Sequence, residues 1–295
     1  MVSVAAKIRS EPTASVVERA RAALDAECAR LVLGQPLYCG DWGELMELLP
    51  PAALLAVELF APLPRRLQRP ATCPFLLGSL SSEEKRDAIK FGSETLQLAS
   101  RHEILFVQLP NVILDLEGVP ERHLTKGEYE RFSPHRDVEA ELRMDSYMSS
   151  LDRLLNRADD HGLTLLITPA SAMNRFPNNA ETGRVLKEFA GAPLAVWPDV
   201  VEETRAAHWQ VDSAWAVCGE AVRGVVLSDV TASGVRCLPG EGELDWAVWK
   251  PRLAALEQWV VEVPMGSSVE AVAAAREFLG SLFREEPDER PFLPH

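Results

Sequence analysis

The chain lacks the common signatures of nucleotide chemistry. No Gly-x-Gly-x-x-Gly follows its first apolar run, and no Gly-x-x-x-x-Gly-Lys-Ser/Thr occurs anywhere. Such glycine-rich loops cradle phosphates with their backbone amides, so nucleotide-binding folds gain little support. Cysteine is sparse: Cys28, Cys39, Cys73, Cys218 and Cys237 are scattered, odd in number and form no Cys-x-x-Cys pair. That excludes a disulfide framework and a zinc ribbon, and it fits a reducing, cytoplasmic compartment. No stretch approaches the roughly 20 apolar residues that span a bilayer, and residues 1–20 hold no apolar core of the signal-peptide kind. The expectation is a soluble protein with no membrane partner. Positive charge is also short, with Lys+Arg 30 against Asp+Glu 44 and a net charge of -14. A nucleic-acid partner, which needs clustered Lys and Arg, is therefore not expected.

What is present is an ordinary globular composition, 47% hydrophobic and 25% charged over 295 residues. Apolar runs fit for buried strands lie at 31–37, 54–60, 74–78, 104–109, 163–168, 193–199, 224–229 and 259–263. Helical periodicity alternates with them at 81–100, 138–160, 180–189, 200–217, 245–257 and 268–283, and the first of these opens on a capping Ser81. Strands alternating with helices predict an α/β protein with a parallel sheet. The expected architecture is one (β/α)8 TIM barrel over about residues 31–283, preceded by an N-terminal helix at 15–30. Residues 1–12 and 285–295 read as loose termini, and 110–137, rich in charge without periodicity, as a long fourth βα loop.

The most specific stretch lies near the end. Val-Val-Leu-Ser-Asp (225–229) is followed by Arg236-Cys-Leu-Pro-Gly-Glu-Gly, then by Val-Val-Glu-Val (260–263). A strand ending in Asp229, a Pro-Gly-x-Gly turn and a strand ending in Glu262 together resemble the last two units of the xylose-isomerase-like TIM barrels. That superfamily includes sugar epimerases, sugar-phosphate isomerases and AP-endonuclease-type enzymes; the net charge counts against the last. The resemblance also takes in the strand at 53–60, similar to the family's second, and the strand ending in Asp199. It implies a metal site with Glu, Asp, His and Glu on strands five to eight. Carried over, those positions hold Thr168, Asp199, Val226 and Glu262. Thr is a poor ligand, Val is none, no Glu lies within 163–175 and no His within 211–263, so a shift of alignment restores neither. The expectation is no metal and no other cofactor, since a divalent cation would meet an incomplete ligand set.

Each candidate residue carries two readings. Asp199 and Glu262, at strand ends on the face where barrel enzymes work, are either an acid–base pair or structural carboxylates capping the mouth. Asp229 is either a third catalytic carboxylate or an acceptor for the turn that follows it. Arg236 resembles the family residue that reaches substrate oxygens, and is equally read as an exposed ion-pair partner. Trp197 shares a face with Asp199, so its indole either meets a sugar ring or fills the core. Glu58 and Thr168 are strand-end positions open to a substrate. His123, His135 and Asp137, in the long loop, are the only candidates for a relocated metal site.

Three functions stay open: a metal-independent isomerase- or epimerase-like enzyme, or a lyase, acting on a small sugar- or polyol-like metabolite through carboxylates; a catalytically silent barrel that binds or interacts; and a metal-dependent isomerase with displaced ligands. The partner expected is a small molecule, with self-association left open.

Overall fold

The computed structural model describes residues 4–9, 15–35, 37–50, 52–62, 77–119 and 124–283. Eight parallel strands form the barrel: β1 (Val4–Ile8), β2 (Arg30–Leu33), β3 (Leu54–Glu58), β4 (Phe106–Gln108), β5 (Thr164–Ile167), β6 (Leu194–Val196), β7 (Gly224–Leu227) and β8 (Gln258–Glu262). Strands β1 to β6 pair in sequence, β1 pairs with β8, and β8 pairs with β7. The ring closes between β6 and β7 through two isolated bridges, Val196 to Val222 and Asp199 to Val226. The strands are short and apolar because both faces are covered, one by helices and one by the packed barrel interior.

Helices α1 (Val16–Asp25), α2 (Cys39–Leu48), α3 (Ser82–Arg101), α4 (Lys126–Asp160), α5 (Asn179–Glu188), α6 (Val200–His208), α7 (Ala214–Cys218), α8 (Trp246–Ala254) and α9 (Val269–Ser281) form the outer layer. Their starts follow the sequence. Ser81 accepts from the Glu84 amide, and Thr125 with Glu128 makes a reciprocal capping box. None of these helices is long and apolar enough to cross a membrane.

Three expectations are corrected. Within the segment 1–12, expected as a loose leader, Val4–Ile8 is the first barrel strand and α1 is its crossover helix, while 1–3 and 10–12 lie outside the described residues. The segment VAAKI hides itself because small alanines and a lysine make a weak apolar run, yet all five residues are buried. The proposed strand at 74–78 lies mostly outside the described residues, and β3 pairs directly with β4, leaving no place for a strand between them. Segment 54–58 is therefore the third barrel strand. The fourth βα loop is shorter than expected, since α4 begins at Lys126 and runs through Pro134; His135 and Asp137 lie on that helix. In the loop, Val112–Ile113 pairs antiparallel with Arg175–Phe176. His123 and the tail at 285–295 lie outside the described residues.

The barrel interior holds Ala5, Val32, Ala56, Leu166, Ala195, Val226 and Val260 around one large group, Trp197. The alanines leave the volume that the indole fills, tilted at 57° against Phe106 with centroids 5.2 Å apart. Gly224 makes this fit possible, because a Cβ there would lie 2.7 Å from Trp197 Nε1 and 2.9 Å from the Gln258 carbonyl. Gly224→Ala should consequently lower stability by about 1–3 kcal/mol, as overpacking of a filled core does. Urea unfolding checks this, and an unchanged midpoint would mean the indole is free to move.

Candidate functional site

The C-terminal ends of the strands open into a cavity of about 500 Å³. Lys7 and Arg9 reach it from β1, Glu58 from β3, Gln108 from β4, Thr168 from β5, Asp199 from the end of β6, Val226 from β7 and Glu262 from β8. Glu202, Arg205 and Arg236 complete one wall, and Arg175 lies on the hairpin that crosses the rim. The lining arginines Arg9, Arg175, Arg205 and Arg236 are matched by the carboxylates Glu58, Asp199, Glu202 and Glu262, with Lys7 buried beside them. The mouth is thus close to charge balance in a chain whose net charge is -14.

Arg236 organises the wall. Its Nη1 donates to Asp199 Oδ2 at 2.6 Å, to Ser228 Oγ at 2.8 Å and to Glu262 Oε2 at 3.4 Å. Its Nη2 donates to Glu202 Oε1 at 2.5 Å. The guanidinium therefore stands between the two carboxylates as an ion-pair partner, half-buried rather than exposed. Asp199 also caps α6, its Oδ1 accepting from the Val201 and Glu202 amides at 2.8 and 3.2 Å. Glu202 is held further by Arg205 at 3.0 Å and by the Ser171 amide and hydroxyl. Arg9 lies 3.2 Å from Glu262 Oε1.

These contacts set the charge states. Burial is the largest influence on Asp199 and raises its pKa above the ordinary value, against the pull of Arg236. Burial also works to raise Glu262, but Lys7, Arg9 and Arg236 outweigh it and hold that carboxyl below the usual range. Glu202 is likewise lowered, with Arg236, Ser171 and Arg205 overcoming burial. Arg236 stays charged because Asp199, Glu202 and Glu262 outweigh its own desolvation.

On the opposite wall, Lys7 Nζ donates to Gln108 Oε1 at 2.8 Å and Gln108 Nε2 donates to Thr168 Oγ1 at 2.9 Å. Glu58 Oε2 accepts from the Gln35 amide at 2.9 Å.

The structure thus brings Glu262, Asp199, Arg236, Glu58 and Thr168 to one cavity. It does not bring Asp229 or Trp197 there. Asp229 is wholly buried behind the wall, with Oδ1 accepting from the Val230 and Leu244 amides and Oδ2 from the Gly240 amide and Trp246 Nε1. Gly242 is required there, since a side chain would press on the Asp229 carboxylate. Trp197 is 1% exposed and fills the barrel below the mouth. Lys7, Arg9, Gln108 and Ser228 are site residues that pattern alone did not mark. Lys7 faces inward with Ala5, two residues earlier on β1, a strand the sequence did not reveal.

A divalent ion does not suit this donor set. Asp199 and Glu262 have their oxygens turned to arginines and amides, Thr168 already accepts from Gln108, and Val226 has nothing to offer. No three His, Cys, Asp or Glu side chains are grouped to hold an ion among the described residues.

No protein-family model matches the chain, and no curated protein sequence does. Solved structures do match it. A 3-keto-D-glucoside 4-epimerase from E. coli superposes with a TM-score of 0.66 at 12% identity, over 95% of this chain and 100% of that one. The shared fold is an α/β TIM barrel. A D-allulose 3-epimerase from Methylomonas sp., in complex with D-allulose, superposes on this barrel with a TM-score of 0.66 at 11% identity over 96% and 97% of the two chains. A family 2 AP endonuclease from Brucella melitensis gives 0.63 at 18% identity over 94% and 99%. Identities this low establish a shared barrel, not a shared reaction.

Proposed function

We propose that the protein is a sugar isomerase- or epimerase-like barrel that moves a proton on a small polyhydroxylated carbonyl compound without a metal ion. The observation that carries this is the Arg236 guanidinium between Asp199 and Glu262, at the strand ends and beside the cavity. It supplies fixed positive charge that neutralises the carboxylates, while Arg9, Arg175 and Arg205 add donors to the lining that suit an oxygen-rich ligand. Glu262, kept ionised, serves as the base. Glu58, three strands away around the ring, gives a second carboxylate on the other wall, the arrangement that removal and return of a proton from two directions requires. Thr168, which accepts from Gln108, keeps its own hydroxyl proton to offer a substrate oxygen. Asp199 is fully occupied and acts by positioning Arg236. The superposed epimerases support the substrate class by analogy of fold.

The test is exchange of carbon-bound hydrogen in D2O, followed by NMR, on D-fructose and dihydroxyacetone with chelator-treated protein. Exchange should persist in chelator, and Glu262→Gln should lower it by about 10²–10⁴-fold, the usual worth of a positioned base. Full activity in that variant places the base elsewhere. Activity lost on chelation and restored by a divalent ion would overturn the metal-free proposal. Binding of either ketone with no exchange would favour the second reading, a binding protein, which the saturation of Asp199 and Arg236 by protein partners also fits.

A further inference from the structure

We infer that Lys7 is a nucleophile that forms a covalent imine with the carbonyl carbon of the bound substrate. This rests on the reading that the cavity receives a small carbonyl compound, and it names the group that takes up the electrons a metal would otherwise polarise.

Placement comes first. Lys7 is on β1, two residues past Ala5, so both face the barrel interior while Ala6 and Ile8 face the helices. It stands in register with Glu262 on β8, and both line the cavity. Its side chain is 5% exposed, yet its one hydrogen bond is to the neutral Gln108 amide, and no carboxylate pairs with it among the described residues. A buried ammonium without an ion pair is costly, and an apolar side chain would fill the position more cheaply. Burial, with Arg9 adding to it, lowers the pKa of Lys7 against the opposing pull of Glu58, Glu262 and Asp199. The neutral amine is the form that attacks a carbonyl.

The chemistry balances without an oxidant. The Nζ lone pair forms the C–N bond as the carbonyl π pair moves to oxygen. Both nitrogen protons leave with that oxygen as water, giving an imine that is then protonated by solvent. Glu262 takes the proton from the neighbouring carbon; the C–H electrons form a C=C bond and the C=N π pair settles on nitrogen. Return of the proton and hydrolysis by water release the ketone and restore Lys7.

Reductive trapping tests this. The wild-type chain is incubated with dihydroxyacetone or D-fructose and sodium cyanoborohydride, and its mass is measured before and after peptide mapping. The expected result is one adduct, of the ketone less water plus two hydrogens, on Lys7, at least about tenfold above the label on exposed Lys90, because a ketone held in the cavity meets this amine at an effective concentration that a surface lysine lacks. Lys7→Met and Lys7→Arg should lose it while keeping a cooperative melt. Mapping the wild-type adduct needs no variant, so a variant that does not fold leaves the test intact. Label absent from Lys7, or spread evenly over the lysines, overturns the inference. Hydrogen exchange without a Lys7 adduct leaves the proton-transfer function standing and removes only the imine. An adduct without exchange keeps the covalent site and removes the proton transfer. Neither signal removes both.

Discussion

Arg236→Met should destabilise the protein by about 3–5 kcal/mol at neutral pH, as removal of one partner from a buried ion cluster does. Asp199 is 4% exposed and cannot turn to water when the guanidinium is gone. Glu202 and Glu262 face it across the same space, and each counts as a like-charge neighbour of another member of the cluster. Without the arginine, their pKa values in the folded state should rise above those of the unfolded chain. A carboxyl in that condition binds its proton more tightly when folded, so stability is greatest below the unfolded pKa and falls as pH rises towards the folded one. The deficit of the variant should therefore narrow as pH falls through the carboxylate range. Paired urea titrations of the wild-type and Arg236→Met chains between acid and neutral pH read it directly. A deficit independent of pH would mean that the arginine stabilises by packing alone.

Asp229→Ala is the second large effect, expected at about 3–5 kcal/mol. Four donors converge on this carboxylate, from Val230, Gly240, Leu244 and the Trp246 indole. Hydrogen bonds to a charged acceptor are worth about 1.5–3 kcal/mol each, with incomplete additivity, and orphaned buried donors add their own desolvation cost. The carboxylate ties down the segment 230–246, which carries Arg236, so this substitution should also loosen the cavity wall. Thermal melts measure the stability, and amide hydrogen exchange over 230–246 separates a loosened loop from a global loss. Unchanged protection there would mean that the turn holds itself.

Much of the barrel was legible because its signals are local. Segments such as Val225–Val226–Leu227 and Val260–Val261 leave few alternatives to a buried parallel strand. Strand-end carboxylates at 199 and 262 follow from counting along those runs, and so does their arrival at one face. Val4–Ile8 was illegible because the barrel interior wants small residues opposite Trp197, and small residues give a weak apolar signal. Lys7 was lost with its strand. The two roles of 229 and 236 depended on the path of an irregular loop, which no periodicity encodes. That loop turns back so that Asp229 faces its own donors and Arg236 faces inward, although their spacing alone allowed the reverse.

The seam between β6 and β7 joins the ring by isolated bridges where the other neighbours share hydrogen-bonded ladders. Arg236 lies across that seam, holding Asp199 from the β6 side and Ser228 from the β7 side. The barrel is in this sense a hoop with a clasp, and the clasp is made of the same atoms that would greet a ligand. Any anionic guest that draws the guanidinium towards itself does so at the expense of the hoop's fastening. Binding at the mouth would then draw on the same side chain that fastens the ring, a linkage that a metal held by four rigid ligands would not impose.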